Sequence, residues 1–336
     1  MKLKLGAVLA LTAVCLVWAL WGIDPAMVQV SLTGMRVWLI PVVLLGYALT
    51  HVLRSFRLQA LLGPHVSFWS LFSINAVGFL AINVVPLRLG EFVRPYLLLE
   101  KHRVPFGSSL AAVFLERLCD VLALATMLLL VAFAVDLPPG GIVVGGLDVI
   151  DAGRKMAGTL LGGGVLFIAV LTIGGPPVIS RVSGLLQKLP VVGHALPGFL
   201  LSFVEGLRGL FVRPGRAVVV AVCTIGMWAA TIAACGACLA AFDGLPVSWE
   251  SALTTWTITL TGMTVAPTPG FFGAFEAFCV AALMLWKVDQ AIAATFAVVL
   301  HLTQFGFSVA LGGGFMLKEG LSLGQVVEQS RKAATT

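Results

Sequence analysis

The sequence predicts an all-α polytopic membrane protein with about six spanning helices and two re-entrant helical hairpins. Of its 336 residues, 59% are hydrophobic and 11% are charged, and the mean hydropathy is +1.05. A soluble domain carries about 25% charged residues. Apolar runs of roughly 20 residues, each long enough to cross the hydrocarbon core as a helix, recur along the chain. We therefore expect a single transmembrane domain over residues 1–336.

Six apolar runs are predicted to span the membrane: 5–22, 37–53, 106–134, 156–175, 217–242 and 290–316. The first run follows Lys2 and Lys4 and is not followed by a small-residue cleavage pattern. We interpret it as a retained first helix rather than a signal peptide. Because basic residues favour the cytoplasmic side, this helix places the amino terminus in the cytoplasm.

Two further pairs of apolar runs are each interrupted by proline and glycine, 68–85 with 89–99 and 250–266 with 271–286. The basic cluster 101–103 falls on the same side as the loop after Arg57 if 68–99 enters and leaves through one face. The second pair is flanked by the acidic residues Asp243 and Glu250 on the outer side. We therefore predict two hairpins that enter from opposite faces, with both termini cytoplasmic.

The segment 178–213 has a different pattern from the spanning runs. Its apolar positions alternate at helical spacing with basic and polar ones such as Arg181 and Lys188. This pattern is typical of amphipathic helices that lie on a membrane surface. We predict that the segment lies on the cytoplasmic face.

The two breaks resemble each other in sequence, VVPLRLGEF at 84–92 and VAPTPGFFGAFEAF at 265–278. Pro86 precedes Ala111 by 25 residues, and Pro267 precedes Ala293 by 26. Three predicted spans separate the hairpins, so the repeats, about 68–134 and about 250–316, would be inverted. Such repeats with broken helices are typical of transporters that bind substrate near the midplane. The alternative is a chance match between apolar, glycine-rich sequences.

Charged residues inside the apolar runs form two clusters. The first break carries Arg88, Glu91 and Arg94, and run 106–134 carries Glu116, Arg117 and Asp120. An arginine at the bilayer centre costs between about 3 and more than 10 kcal/mol, so such residues mark ion pairs or a pathway. Either the clusters neutralise one another, for example Arg94 with Glu116 and Glu91 with Arg117, or they receive an anionic head group beside helix ends. Both can hold at once.

The second break adds backbone and carboxylate candidates. Pro267, Pro269 and Gly270 would leave amides and carbonyls at a hairpin tip, free for a ligand or satisfied by the neighbouring repeat. Glu276 is either a site residue or an acceptor at a helix end. Two further residues, Arg54 and Arg57, are interpreted as topology anchors, with the alternative that they attract anionic lipid to an entrance.

Several other classes of function lack their sequence signals. The six cysteines lie in or beside apolar runs, which argues against a disulfide framework, and Cys235 and Cys238 are better explained by helix packing than by redox chemistry. The histidines lack metal-ligand spacing, so no cofactor or metal is expected. The sequence contains no phosphate-binding loop for ATP and no basic tract interleaved with aromatic residues for nucleic acid.

Together these motifs resemble the lysylphosphatidylglycerol synthase transmembrane-domain family, which includes the lipid-flipping half of the multiple peptide resistance factor proteins and their stand-alone relatives. The resemblance covers about residues 36 to 316. It rests on four motifs: Arg54-x-x-Arg57; Asn83, Pro86, Arg88, Gly90, Glu91 and Arg94; Glu116, Arg117 and Asp120; and Pro267, Pro269, Gly270, Gly273 and Glu276.

The resemblance implies a lipid flippase of the bacterial inner membrane that moves an anionic, polyprenyl-linked or hopanoid-type lipid. Lysyl transfer is not expected, because the chain lacks the cytosolic transferase domain of the two-part relatives, and we predict that the protein is not an enzyme. Its expected partner is the lipid substrate, and a homodimer is left open. The alternatives are a transporter of a small water-soluble anion, a membrane-embedded transferase and a non-transporting membrane scaffold.

Overall fold

The computed structural model describes residues 2–84, 90–136, 143–144, 147–148, 151, 153, 155–167, 169–170, 203–207, 209, 212–266, 268–322, 324–325 and 328–329. These residues are helical apart from turns and one antiparallel pair of two-residue strands, β1 (Val143–Val144) and β2 (Leu147–Asp148). The predicted all-α class is therefore confirmed. Pro86, Arg88, Pro267 and most of the predicted surface segment 178–213 lie outside the described residues.

The helices follow one another along the chain with short connections. In order they are α1 (Lys2–Leu20), α2 (Pro25–Thr33), α3 (Ile40–Leu62), α4 (Phe68–Val84), α5 (Val93–His102), α6 (Phe106–Ala134), α7 (Lys155–Phe167), α8 (Pro214–Ala241), α9 (Trp249–Val265), α10 (Ala274–Leu285) and α11 (Gln290–Lys318). Single 3₁₀ turns precede α3 at Val37–Leu39 and α10 at Pro269–Phe271.

Four of the described helices are long and apolar enough to cross a membrane: α3 with its preceding turn, α6, α8 and α11. The residues Ala10–Leu20 of α1 and the helix α2 are bent by 79° and make a fifth span if they count as one. The bend arises because Asp24 caps α2, accepting the N–H of Ala26 at 2.9 Å, while Pro25 begins the helix without a donor. The prediction of a multi-span membrane protein is thus confirmed.

Helices α3 and α8 cross in close contact and run antiparallel. A Cβ placed on Gly46 would lie 2.8 Å from the Cβ of Ala234, so only glycine permits this approach of the two backbones. From one contact to the next, the residue number increases on α3 and decreases on α8: Gly46 contacts Ala234, Thr50 contacts Thr231, and Arg57 contacts Thr224. The two helices form the centre on which the broken helix pairs are arranged.

The two broken pairs pack crosswise on the long helices. Helix α4 lies against α11, helix α9 lies against α6, and the turn 269–271 contacts α4. The arms α4 and α9 have 17 residues each, about 26 Å, which is shorter than the roughly 30 Å hydrocarbon core. The returning arms α5 and α10 are shorter still, with 10 and 12 residues. The turn 269–271 of the second pair lies beside the first pair, and Gly270 within it is buried.

Candidate functional site

A cavity of about 380 Å³ lies among α3, α4, α6, α8, α9 and α11, at the level of the broken pairs. This volume would hold roughly a dozen water molecules. Its charged lining consists of Arg54, Glu91, Arg117 and Asp120, and its apolar lining includes Leu260, Met263, Phe307 and Leu311. The cavity therefore combines charged and apolar lining residues.

Behind the charged wall lies a buried ion-pair network. Arg94, on the returning arm α5, pairs with Glu116 of α6 at 2.6 Å and donates to the side-chain oxygen of Asn75 at 3.1 Å. The side chains of Arg94 and Glu116 are each 1% exposed. The predicted pairing of Arg94 with Glu116 is confirmed, and it ties the first broken pair to the long helix that follows it.

Arg57 joins the same network from α3. Its Nη1 lies 2.7 Å from Oδ1 of Asp120 and 3.3 Å from Oγ1 of Thr224, and its Nε lies 3.5 Å from Oε1 of Glu116. Run 37–53 was predicted to end before this residue, whereas α3 continues to Leu62 because the guanidinium is compensated inside the protein. Arg57 is therefore a buried link between three helices.

Arg54 lines the cavity one turn before Arg57 and has a different environment. Its guanidinium stacks over Phe79 of α4 at 4.3 Å from the ring centroid. Among the described side chains it has no ion-pair or hydrogen-bond partner, and its Nε is buried without one. A cation–π contact stabilises a buried arginine less than a carboxylate does, so Arg54 retains unsatisfied hydrogen-bonding capacity towards the cavity.

Arg117 and Glu91 complete the charged wall. Arg117 lies 3.5 Å from Asp120 on its own helix, and its side chain is 34% exposed. The predicted pair of Glu91 with Arg117 does not form among the described residues, where Arg117 shares Asp120 with Arg57. Around the cavity, the described charged groups are four arginines and three carboxylates, namely Arg54, Arg57, Arg94, Arg117, Glu91, Glu116 and Asp120. The four charged groups that line the cavity sum to zero, and with the network behind them the region carries one excess positive charge, which favours an anion.

The turn of the second broken pair lies at the edge of the cavity. Gly270 and Gly273 have φ angles of +59° and +83°, and Phe271, which lines the cavity, has φ of +62°. A bulky residue with positive φ is uncommon, so the surrounding structure must hold this turn in place. The amides of Thr268, Phe271 and Phe272 donate to nearby carbonyls, that of Phe271 to the carbonyl of Thr268 at 2.9 Å. Pro269 begins the turn, at Pro269–Phe271.

Glu276 and His301 hold the turn from behind. Oε2 of Glu276 accepts the N–H of Gly273 at 2.7 Å, while Oε1 lies 2.6 Å from Nδ1 of His301. Nε2 of His301 lies 3.0 Å from the carbonyl of Gly270. Glu276 is therefore an acceptor at a helix end, as one of the two predicted alternatives had it, and it also binds a histidine on α11.

Some residues of this region did not stand out in the sequence. Asn75 contacts Arg94, and Phe79 lies under Arg54. Gln304 lines the cavity, and its buried Oε1 has no hydrogen-bond partner among the described residues. Nε2 of His51 donates to the carbonyl of Phe72 at 3.1 Å. A usable signal was present for Asn75 and Gln304, since each is an isolated amide within an apolar run.

The fold and the cavity define an integral membrane protein that encloses a charged chamber between two broken helix pairs. The chain belongs to the family described as the lysylphosphatidylglycerol synthase TM region, whose model matches residues 5–312. This match confirms the resemblance and relates the protein to lipid handling. No curated protein and no solved structure matches the chain.

Proposed function

We propose that the protein translocates a membrane lipid with an anionic head group, which binds in the cavity at Arg54 and Arg117. The observation that carries this proposal is Arg54, a guanidinium in a spanning helix that faces a cavity without a carboxylate partner among the described residues. Such a charge is costly at membrane depth. A phosphate in the cavity would offset the cost through charge-assisted hydrogen bonds.

The size and polarity of the cavity favour a head group over a whole lipid. Its volume of about 380 Å³ accommodates a phosphate with a small substituent, and acyl chains would remain in the bilayer. The apolar wall at Leu260, Met263 and Leu311 suits the first methylene groups behind the head group. In this arrangement Arg88 and Glu91 remain predicted ligands, while Arg94, Glu116 and Asp120 position the wall.

An inverted repeat would allow such a cavity to open to either face in turn. We assign α3 to α6 to one repeat and α8 to α11 to the other, which extends the two predicted repeats by one helix each. In support, α3 and α8 are antiparallel. The proposed repeat makes α9 the counterpart of α4 and α11 the counterpart of α6. The packing of α4 on α11 accordingly has a match in the packing of α9 on α6.

The sequence around the crossing of α3 and α8 supports the same assignment. Tyr47-Ala-Leu-Thr50 corresponds to Trp228-Ala-Ala-Thr231, and the two threonines are 181 positions apart, the same separation as Pro86 and Pro267. Oγ1 of Thr50 and Oγ1 of Thr231 are hydrogen-bonded at 3.0 Å. Equivalent residues meet only on a two-fold axis. The axis of the proposed repeat would therefore pass between these hydroxyl groups.

The remaining features of the proposal follow from the same arrangement. The broken pairs act as re-entrant hairpins in a bacterial inner membrane, with both termini in the cytoplasm. The protein performs no covalent chemistry and uses no ATP. Rocking of one repeat against the other exposes the charged wall first to one leaflet and then to the other.

A head-group accessibility assay in proteoliposomes tests this function. Wild type, Arg54→Gln and Arg117→Gln are compared for phosphatidylglycerol, a polyprenyl phosphate and zwitterionic phosphatidylcholine. We expect wild type to move at least one anionic lipid, and Arg54→Gln to be slower by about tenfold or more, the effect of losing a charged hydrogen bond. Arg36→Gln is the matched control, because Arg36 pairs with Asp243 on the exterior, far from the cavity in sequence and environment.

Two results would overturn the proposal. If Arg54→Gln and Arg117→Gln both translocate lipid at the wild-type rate, the head group does not bind at this wall. If wild type moves no lipid of the panel but takes up inorganic phosphate, the protein is a transporter of a small soluble anion. Absence of both activities would favour the scaffold alternative.

A further inference from the structure

His301 is in contact with two hydrogen-bond acceptors. Its Nδ1 lies 2.6 Å from Oε1 of Glu276, and its Nε2 lies 3.0 Å from the carbonyl oxygen of Gly270. A backbone carbonyl only accepts, and so does an ionised carboxylate. Either both ring nitrogens of His301 carry a proton or the carboxyl group of Glu276 does. In each case the pair holds one proton more than a neutral imidazole beside a carboxylate.

The pair is enclosed within the protein. The side chains of Glu276 and His301 are each 4% exposed, and the imidazole is stacked on Phe275 at 4.4 Å between ring centroids, with Phe272 at 4.8 Å. No described arginine or lysine forms an ion pair with Glu276. If the pair lost its extra proton, the carboxylate of Glu276 would be a buried and uncompensated charge.

The other titratable groups around the pair are thiols and one phenol. Cys15 of α1 and Cys279 of α10 lie close enough to Glu276 to interact with it electrostatically. On the side of α3, the ring of Tyr47 packs on Phe307 of α11. The neighbouring segments 25–33, 68–84 and 251–265 contain no titratable side chain. Glu276 and His301 are thus the carboxyl and imidazole groups that this region brings into contact.

We propose that Glu276 and His301 form a proton-binding site whose occupancy holds the turn 268–273 closed. When the proton is lost, the hydrogen bond to the carboxylate is retained because it is charge-assisted and therefore stronger. Nε2 then presents a lone pair to the carbonyl of Gly270, and the contact becomes repulsive. Movement of the turn admits water to the carboxylate, so that proton release and opening favour each other.

The returning arm of the first broken pair is fastened by an arginine instead of a histidine. There Arg94 of α5 pairs with Glu116 of α6, and arginine keeps its proton at every accessible pH. The two returning arms are thus fastened to their following long helices by different chemistry. The turn 268–273 includes Phe271, which lines the cavity. Coupling of the proton to head-group movement rests on the proposed function, whereas the protonation and the movement of the turn do not.

Amide hydrogen exchange of the full-length protein in phosphatidylglycerol and phosphatidylethanolamine nanodiscs tests the proton site. Exchange of the turn 268–273 is measured at about pH 5 and about pH 8 and corrected for the intrinsic pH dependence of exchange. We expect the corrected rate in wild type to be roughly tenfold higher at the higher pH, as expected for loss of a charged hydrogen bond. Glu276→Gln and His301→Gln should each remove this pH response.

Thr303→Val is the matched control on the same helix, because Thr303 bonds to the carbonyl of Val299 within α11. It should keep the full response. Nitrogen-15 histidine spectra test the wild-type protein without any substitution. At the lower pH they should show one histidine with both ring nitrogens protonated, or with one ring nitrogen protonated beside a neutral carboxyl group. A pH-independent turn in wild type, or a full response in His301→Gln, would overturn the proposal.

The lipid assay on the same samples separates the two proposals. If the turn responds to pH but no lipid moves, the proton site stands and the proposed function fails. If lipid moves while the turn ignores pH, the function stands and the proton site is refuted.

Discussion

The four arginines near the cavity differ in their partners. Arg57 and Arg94 each contact a carboxylate of α6 within hydrogen-bonding distance. Arg54 stacks on Phe79, and Arg117 reaches Asp120 only at 3.5 Å. Because arginine does not lose its proton, its position relative to the carboxylates of α6 decides its role. The first two arginines hold the helices together, and the other two are available to a ligand.

Arg57→Gln should strongly destabilise the protein. The substitution removes the nearest counter-charge of Asp120 and that of one oxygen of Glu116, and breaking a buried ion pair in this way costs about 3–5 kcal/mol. The free energy of unfolding in mixed micelles measures the effect. Arg36→Gln provides the comparison, since the side chains of Arg36 and Asp243 are 49% and 68% exposed and such a pair contributes about 1 kcal/mol or less. Equal losses in both variants would refute the structural role of Arg57.

At this scale the sequence predicted some contacts and missed others. The pair of Arg94 with Glu116 could be predicted, because both lie in apolar runs where an uncompensated charge is costly. The burial of Arg57 could not, because its partner Asp120 is 63 residues away on another helix. His301 was visible as an isolated histidine within a span, but its contact with Glu276 depends on how α10 returns against α11.

Packing between elements depends on glycines at a few crossings. A Cβ on Gly312 of α11 would lie 2.5 Å from the Cβ of Leu80 and 2.6 Å from the carbonyl oxygen of Ala76, both on α4. Gly90 meets the backbone of α4 in the same way, with Ala81 and Ile82 at 2.4 Å from its added Cβ. The first broken pair is therefore held by close backbone approach at its tip and along its long arm.

Gly312→Ala should separate α4 from α11 and cost about 1–3 kcal/mol, the usual penalty for overpacking a tight contact. Gly313→Ala is a matched control one position further, where an added Cβ meets nothing within 4 Å. It should leave the stability unchanged or raise it by up to about 1 kcal/mol, because alanine is the better helix former. Thermal unfolding in detergent measures both. A neutral Gly312→Ala would contradict this packing.

The elements themselves were largely predictable. The long helices α6, α8 and α11 match the predicted runs 106–134, 217–242 and 290–316 closely, because hydropathy over a full span is a strong signal. The bend between α1 and α2 was missed, since the cap at Asp24 acts through a single side chain. The extension of α3 to Leu62 was missed because Arg54 and Arg57 interrupt the apolar pattern.

The whole molecule is organised around the antiparallel crossing of α3 and α8. The double variant Thr50→Cys with Thr231→Cys should form a disulfide on mild oxidation, because the two hydroxyl oxygens are 3.0 Å apart and the backbones are close. Gel mobility after proteolysis between residues 51 and 230 would detect the cross-link. Single variants control for the native thiols, of which Cys223, Cys235 and Cys238 also lie on α8. Failure to cross-link would contradict the crossing.

At the scale of the whole molecule, the two hairpins were predicted from the proline and glycine breaks, and their opposite orientations from the basic and acidic residues that flank them. The contact of the turn 269–271 with α4 agrees with one predicted alternative, in which the other broken pair satisfies this tip, whereas the cavity beside the contact was not predicted. These features depend on the packing of elements nearly 200 residues apart, which local periodicity does not encode. The proposed extension of the repeats to α3 and α8 likewise came from the contact of Thr50 with Thr231.

In evolutionary terms, the bond between Thr50 and Thr231 has a simple precedent. Two copies of one ancestral half, inserted in opposite orientations, would form the same contact between identical threonines of two subunits. Joining such copies into one chain requires an additional crossing, because each half begins and ends on the same face and the second is inverted. The predicted span 156–175, between α6 and α8, would supply that crossing. On the proposed repeat, the protein would be a fused antiparallel dimer, and this predicted span would be the connection that such a fusion requires.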